Sequence, residues 1–196
     1  MLLEPLDHRL EPALAGLHER LAQAALETGD LKIAYTVVTS PVGNLLVAAT
    51  QQGIVRVAFE NEDHQAVLEK LAATVSPNIL HVPSQLAEPA RQLTEYFRGT
   101  RRTFNLPLDF RLSRGFRLNV LHHLPEIAYG RTESYAEVAR AAGSPNAVRA
   151  VGTACATNPI PVIVPCHRVV RTDGSYGGYL GGTEAKRTLL ALEAAA

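Results

Sequence analysis

The chain has 196 residues, 46% of them hydrophobic and 19% charged, which fits one globular unit or two small ones sharing a boundary and excludes a disordered or fibrous protein. Nineteen basic residues balance nineteen acidic ones, and that zero, taken alone, argues against a nucleic-acid partner. The sum conceals a gradient: residues 1–100 hold seven Lys/Arg against twelve Asp/Glu, residues 101–172 hold ten against four, and the remainder holds two against three. Only two cysteines occur, Cys155 and Cys166, so a disulfide-stapled secreted scaffold is excluded and a reducing compartment is expected. The start, Met1 to Asp7, lacks a basic flank followed by an apolar run, and no stretch approaches the roughly eighteen apolar residues of a membrane span. The expectation is a cytoplasmic protein that does not enter a membrane.

Leu10, Leu14, Leu17 and Leu21 recur at helical spacing among Glu11, Glu19 and Arg20, an apolar stripe that ends at Gly29-Asp30 and is expected to cap the core. Lys32–Thr39, Leu45–Thr50 and Ile54–Phe59 are β-rich runs separated by Pro41-Val42-Gly43 and Gln51-Gln52-Gly53, the pattern of an antiparallel meander. Glu62–Ala73 and Gln85–Arg98 follow as helices, with Gly99 as a stop, and Phe104–Phe110 as an extended segment broken by Pro107.

The second half begins near Ser113. Phe116, Val120, Leu121, Leu124 and Ile127 mark a helix closed by the loop Tyr129–Thr132. Ser134, with Glu137 three residues on, is an N-cap for a helix over Tyr135–Ala142. Gly143-Ser144-Pro145 then reads as a stop, a new N-cap and a first-turn proline for a second helix running to about Ala156. Two short helices on a tight turn form the helix-turn-helix pattern, whose second helix meets DNA in proteins that bind it. Between Val138 and Thr172 there are Arg140, Arg149, Arg168 and Arg171 and no acidic residue, so a face built from this stretch is positive. Ala147, Val148, Ala150, Val151 and Gly152 surround Arg149 with little bulk, which suits either close approach to another surface or helix packing.

Ile160 to Val170 is a β-branched run that delivers Cys166 directly before His167 and Arg168. A cysteine reacts as its thiolate, and a neighbouring base or cation raises the thiolate fraction. In an extended segment the two side chains point apart, so the histidine would act through a water or a bend. A buried cysteine beside a structural histidine is the alternative. A metal site is disfavoured, because one Cys-His pair supplies too few ligands. Cys155 reads as a small buried residue.

Pro165-Cys166-His167-Arg168-Val169, with Asn158-Pro159 before it and Gly178-Tyr179-Leu180-Gly181-Gly182 and Lys186 to Glu193 after it, resembles the O6-alkylguanine-DNA alkyltransferases. The likeness extends through Glu95-Tyr96-Phe97, Leu106-Pro107-Leu108-Asp109, Tyr129-Gly130, Ser134-Tyr135 and Val148 to Gly152. It implies an α+β protein: an N-terminal helical extension (1–30), a small antiparallel sheet with helices, ribonuclease-H-like (31–110), and a helical, winged-helix-like domain with the helix-turn-helix (111–196). It also implies direct-reversal repair without cofactor or metal. The partner would be double-stranded DNA containing O6-alkylguanine, with O4-alkylthymine a second candidate lesion, and the protein would be monomeric when free and nucleoid-associated. The base is rotated out of the stack and its alkyl group passes irreversibly to Cys166.

In that scheme Glu193 orients His167, which deprotonates Cys166 through a water. Tyr135 bonds the departing base and crowds the rotated phosphate, Asn158 braces the turn before the acceptor, and Arg149 fills the gap in the stack. Ala147, Ala150 and Gly152 let the recognition helix approach, while Arg117 and Arg140 meet phosphates. The carbonyls of Cys166 and Val169 read the guanine amino group, and Tyr179, Leu180, Gly181 and Gly182 wall the pocket. Rival readings are a lesion-binding module that recruits other repair proteins without transfer, a thiol enzyme for small molecules, and a transcription factor.

The chain departs from the family pattern at Phe116-Arg117 and Leu121, where Phe-Gln and a tryptophan are common, at Ala128 for a proline, and at Leu180 for a small residue, which questions bulky alkyl groups. The acidic half is expected to face solvent. Charge reversal at Arg114, Arg117 or Arg140 is therefore expected to harm DNA binding more than reversal at Glu62, Asp63 or Glu69.

Overall fold

The structure, a computed structural model, describes residues 16, 17 and 20–195. The turn residues at 41–43 and 51–53 produce the expected meander of β1 (Ile33–Ser40), β2 (Gly43–Thr50) and β3 (Gly53–Phe59). A fourth strand, β4 (Ile79–His81), pairs with β1 in parallel and gives the order β3-β2-β1-β4, so the sheet is mixed rather than purely antiparallel. The chain reaches it through a helical crossover, α1 (His64–Thr74), as a parallel return requires. Asp63 starts α1 by accepting from the backbone N–H of Gln65 and Ala66.

Alternation along the strands, reset in β3 by a bulge opposite Ala48–Ala49, sends Ile33, Leu46, Ala48, Val55 and Ala58 to one face, where Val67 and Leu71 of α1 cover them. The opposite face, with Leu45, Val47, Val57 and Phe59, joins a core that includes Leu93 and Tyr96 of α2 (Ala87–Phe97). The same core continues into the second half through Leu121, Val151, Cys166 and Leu189, so the halves share one interior.

Residues 20–27 are helical, and the chain turns at Gly29 with φ +71. The described leucines of the stripe do not face inward: Leu17 and Leu21 are each 54% exposed, and Ala22, Ala25 and Leu26 pack on the core instead. The alanines allow the close approach that the Leu31 N–H to Ala25 carbonyl bond (2.9 Å) requires. Leu10 and Leu14 lie outside the described residues.

The second half comprises α3 (Gly115–His123), α4 (Tyr135–Ala141), α5 (Val148–Ala156) and α6 (Gly182–Ala194), with a short parallel pair, β5 (Glu133–Ser134) and β6 (Val169–Val170). The Ser134 cap forms as expected. Its hydroxyl accepts from the Glu137 N–H (3.2 Å), and the Glu137 carboxylate accepts from the Ser134 N–H (2.6 Å). Helix α5 begins at Val148 rather than Pro145, because Ser144–Ala147 closes its own turn through the Ala147 N–H to Ser144 carbonyl bond (2.9 Å).

Strand β3 lies at the sheet edge, and two proline-bearing segments cover it. Val57 N–H donates to the Pro159 carbonyl (2.8 Å), Ile54 N–H to the Pro107 carbonyl (2.8 Å), and Asp109 N–H to the Ile54 carbonyl (2.8 Å). Gly53, at φ +135, makes this approach possible, since a Cβ there would lie 2.2 Å from the Pro107 oxygen. Gly53→Ala is expected to cost more than about 1 kcal/mol, read as a lower urea midpoint at unchanged m-value. An unshifted midpoint would mean that the Pro107 segment does not pack as described.

Candidate active site

Cys166 opens a 3-10 turn, Cys166–Arg168, rather than lying in an extended strand, and it is 1% exposed. The loop before it is held by Asn158. The Asn158 Oδ1 accepts from the Ile160 N–H (3.0 Å), and its Nδ2 donates to the Val164 carbonyl (2.8 Å) and to Cys166 Sγ (3.2 Å). Within this loop Val162 has φ +72, which costs a β-branched residue on the order of 1–3 kcal/mol and persists only where surrounding contacts impose it.

Behind the thiol lies a buried carboxylate. Glu193 of α6 receives Tyr96 Oη (2.7 Å), His167 Nε2 (2.8 Å), Arg168 Nε and Nη2 (each 2.9 Å) and the Gly130 N–H (3.1 Å). Arg168 Nη1 also donates to the Ile127 carbonyl (2.6 Å). Gly130 fits because its φ is +73 and a Cβ would stand 3.0 Å from the Glu193 carbonyl oxygen. With Nε2 paired to a carboxylate, His167 carries its proton there and presents the Nδ1 lone pair; Nδ1 is buried and has no hydrogen-bond partner among the described residues.

Burial sets the protonation states. It pushes the Cys166 thiol up to about 11, against the opposing influence of Asn158 and the nearby Lys186 ammonium. It also pulls His167 below its ordinary value despite Glu193. Burial works to raise Glu193 too, but the bonds from His167, Arg168 and Tyr96 hold it down to about 2. The resting pair is therefore a neutral thiol and a neutral imidazole. Lys186 is fully buried and donates through Nζ to the Val169 carbonyl (2.6 Å). The Cys166 carbonyl accepts from the Val169 N–H.

The pocket wall rests on the first half. Phe59 meets Tyr179 edge-on (centroids 5.5 Å), Asn61 Nδ2 donates to the Leu180 carbonyl (3.1 Å), and a Cβ at Gly181 would come within 2.7 Å of the Phe59 ring. Gly182, at φ +84, turns the chain into α6. Leu180 lines a cavity of about 470 Å³ together with Arg56, Lys70, Leu71, Arg117 and Asn158. The Tyr179 hydroxyl is enclosed, has no partner of good geometry, and lies near enough to Cys166 to favour its thiolate. Tyr135, at the start of α4, packs its hydroxyl against Gly177, where a Cβ would lie 2.2 Å away.

Cys166, His167, Glu193, Asn158, Val169 and Tyr179 thus converge. Arg149 and Ala150 are exposed on α5, with Ala147 and Gly152 half-buried beside them, and Arg140 is exposed on α4. Three charge expectations need correction. Arg168 is 6% exposed and belongs to Glu193, not to a DNA-facing surface. Arg117 turns inward, donating to the Leu112 carbonyl (2.5 Å) and Thr157 Oγ1 (3.4 Å), because the α3 start sets it beside the end of α5. Glu62 pairs with Arg56 and accepts from the Phe59 N–H (2.8 Å), so it is a structural group rather than a solvated charge. Sequence reasoning left Tyr96, Lys186 and Gly177 without roles; Tyr96 and Lys186 stood inside quoted motifs, while nothing marked Gly177.

Fold and site together define a helix-turn-helix protein with a buried thiol beside a buried histidine–carboxylate pair. The family model for the 6-O-methylguanine DNA methyltransferase DNA-binding domain matches residues 115–195, and that for its ribonuclease-like domain matches residues 33–110. The constitutive methylated-DNA–protein-cysteine methyltransferase of Bacillus subtilis is 41% identical over 163 residues, covering 81% of this chain and 94% of the relative. The mouse enzyme of the same name is 36% identical, covering 83% and 82%. The crystal structure of Mycobacterium tuberculosis OGT in complex with DNA aligns with TM-score 0.72 at 35% identity, over 83% of this chain and 93% of that one. The chain belongs to the methylated-DNA–protein-cysteine methyltransferase family.

Glu193 ionises below its ordinary 4.5, so the stability it contributes is present above that value and is lost as pH falls through about 2. Glu193→Gln is expected to cost about 3–5 kcal/mol at neutral pH by stranding Arg168 and His167. The gap to wild type in urea unfolding should narrow on acidification from 4.5 towards 2. A gap independent of pH would show that the folded protein does not hold Glu193 ionised.

Proposed function

We propose that Cys166 is the acceptor in direct-reversal repair of O6-alkylguanine in duplex DNA, each molecule reacting once. The carrying observation is that the buried Cys166 thiol is bonded by Asn158 and followed by a histidine whose Nε2 is fixed on Glu193 (2.8 Å), which leaves Nδ1 as the accepting base. The thiol proton passes to Nδ1 through a bridging water, and Glu193 stabilises the imidazolium that results. Sγ attacks the alkyl carbon in line as the carbon–oxygen bond breaks. The guanine takes up one proton, so the sum is thiol plus alkylguanine giving thioether plus guanine. Tyr135, whose hydroxyl burial keeps protonated, hydrogen-bonds the departing base. No cofactor enters this balance.

Arg149 sits exposed at the start of α5, and its side chain has no hydrogen bond or ion pair among the described residues, which suits insertion into the stack opposite the extruded base. Ala147, Ala150 and Gly152 keep that helix face shallow, and Arg140 lies on the neighbouring helix as a phosphate contact. Residues 111–196 form the DNA-facing unit and 31–110 its support, preceded by the extension 1–30. No described helix is long and apolar enough to cross a membrane, and association with the nucleoid follows from the DNA partner.

Intact and peptide mass spectrometry after incubation with duplex DNA containing O6-methylguanine should find one added methyl on the Cys166 peptide and none in Cys166→Ala. Tight damaged-DNA binding without a mass change would instead favour the lesion-binding module. Gly177→Ala, which forces the Tyr135 hydroxyl to move, should slow the single-turnover rate about tenfold or more without weakening binding to undamaged duplex. An unchanged rate would remove Tyr135 from the transfer step.

A further inference from the structure

Tyr96 stands apart from the other groups on Glu193. It comes from α2 in the first half of the chain, ninety-seven residues away, whereas His167, Arg168 and Gly130 belong to the second half. Its hydroxyl donates to the same oxygen, Oε1, that receives His167 Nε2, and its own oxygen lies 3.4 Å from that nitrogen. The ring is fully buried and locked by Phe97 (5.3 Å), Phe104 (5.2 Å) and Tyr129 (6.1 Å). Burial first, and then the adjacent carboxylate, keep the hydroxyl protonated and therefore a donor.

A proton on Nε2 faces two acceptors, the Glu193 oxygen and the Tyr96 oxygen, whereas a lone pair on Nε2 would face a carboxylate lone pair. The arrangement therefore selects one histidine tautomer. The donated bond also withdraws part of the carboxylate's charge from the imidazole, which limits how strongly Glu193 favours the imidazolium. We infer that Tyr96 is a positioning residue for the transfer, contributed by the first half of the chain, which fixes the His167 tautomer and tunes the base through Glu193 Oε1. This rests on the proposed alkyl transfer to Cys166.

The test compares wild type, Tyr96→Phe and Phe104→Leu. It measures the single-turnover rate on duplex DNA containing O6-methylguanine as a function of pH, affinity for that duplex, and the final methyl count. Tyr96→Phe keeps the packed ring and loses only the hydroxyl. It should bind DNA within about twofold of wild type and still take up one methyl, but react about tenfold more slowly on the pH-independent plateau, because His167 loses the second acceptor that holds its ring in place. With one donor gone, Glu193 holds the imidazolium more strongly, so the acid limb of the rate profile should move to higher pH. Phe104→Leu disturbs the ring's packing without touching the hydroxyl and should leave that limb in place.

An unaltered rate and profile in Tyr96→Phe, or the same displacement in Phe104→Leu, would overturn the assignment. Nitrogen-15 NMR of the wild-type histidines provides an arm that needs no variant: neutral His167 should carry its proton on Nε2, and a proton on Nδ1 would also overturn it. Failure of wild type to accept a methyl would instead overturn the proposed function and is read separately.

Discussion

An ionised carboxylate in the middle of a protein costs several kcal/mol in lost hydration unless its lone pairs are filled, and Glu193 meets that condition with donors from four residues. Much of the second half is arranged to supply them. Gly130 turns left-handed to bring its N–H in, Arg168 gives up solvent to chelate the carboxylate and tie it to Ile127, and His167 is held by one edge. Because Arg168 follows the nucleophile by two residues, its attachment to Glu193 also fixes the 3-10 turn that carries Cys166. The thiol's position is thus a consequence of how the buried charge is satisfied.

A second constraint acts from the opposite side. Strand β3 binds Pro159 through Val57, Asn158 binds Val164 and the sulfur, and between these anchors Val162 adopts a backbone conformation that a β-branched residue otherwise avoids. The sheet edge of the first half, which would otherwise expose unpaired N–H groups, serves as the fixed wall against which the loop is strained. Phe59 and Asn61, at the end of the same strand, hold the pocket wall at Tyr179–Gly181. The sheet carries no reactive group, yet it determines the shape of the cleft.

What the sequence disclosed divides along physical lines. The meander, its turns and the Ser134–Glu137 cap are local, set within a few residues by conformational preference and short-range bonds, and they stand where the pattern puts them. The choice of Cys166, His167, Asn158 and Glu193 came from motif order, and the structure brings these residues together. Features that depend on distant partners were not legible. Nothing near Arg168 says that its guanidinium will find a carboxylate twenty-five residues on rather than a phosphate. Strand β4 is too short to display an alternation, and Leu17 and Leu21 have the expected period but face solvent, since periodicity defines a face without naming what it meets. Tyr96 sat in a recognised motif, but its role depends on a contact across most of the chain.

The charge gradient shows the same distinction at larger scale. Of the arginines in the basic segment, Arg168 is bound to Glu193, Arg111 to Asp109, Arg101 to Glu95, Arg117 to the Leu112 carbonyl, and Arg171 to Ser175 and Tyr176, while Arg102 lies over Tyr129. Arg114, Arg131, Arg140 and Arg149 remain exposed and without a hydrogen bond or salt bridge among the described residues. Three of these guanidinium charges, those of Arg168, Arg111 and Arg101, are thus paired with carboxylates, and of the six only Arg168 is buried. Counterion release scales with the number of phosphates neutralised, so the charges without a carboxylate partner are the ones that can contribute to it. On the proposed role of Arg149, holding a base outside the stack would draw also on the small residues around it and on the wall at Tyr179 that Phe59 fixes from the first half of the chain.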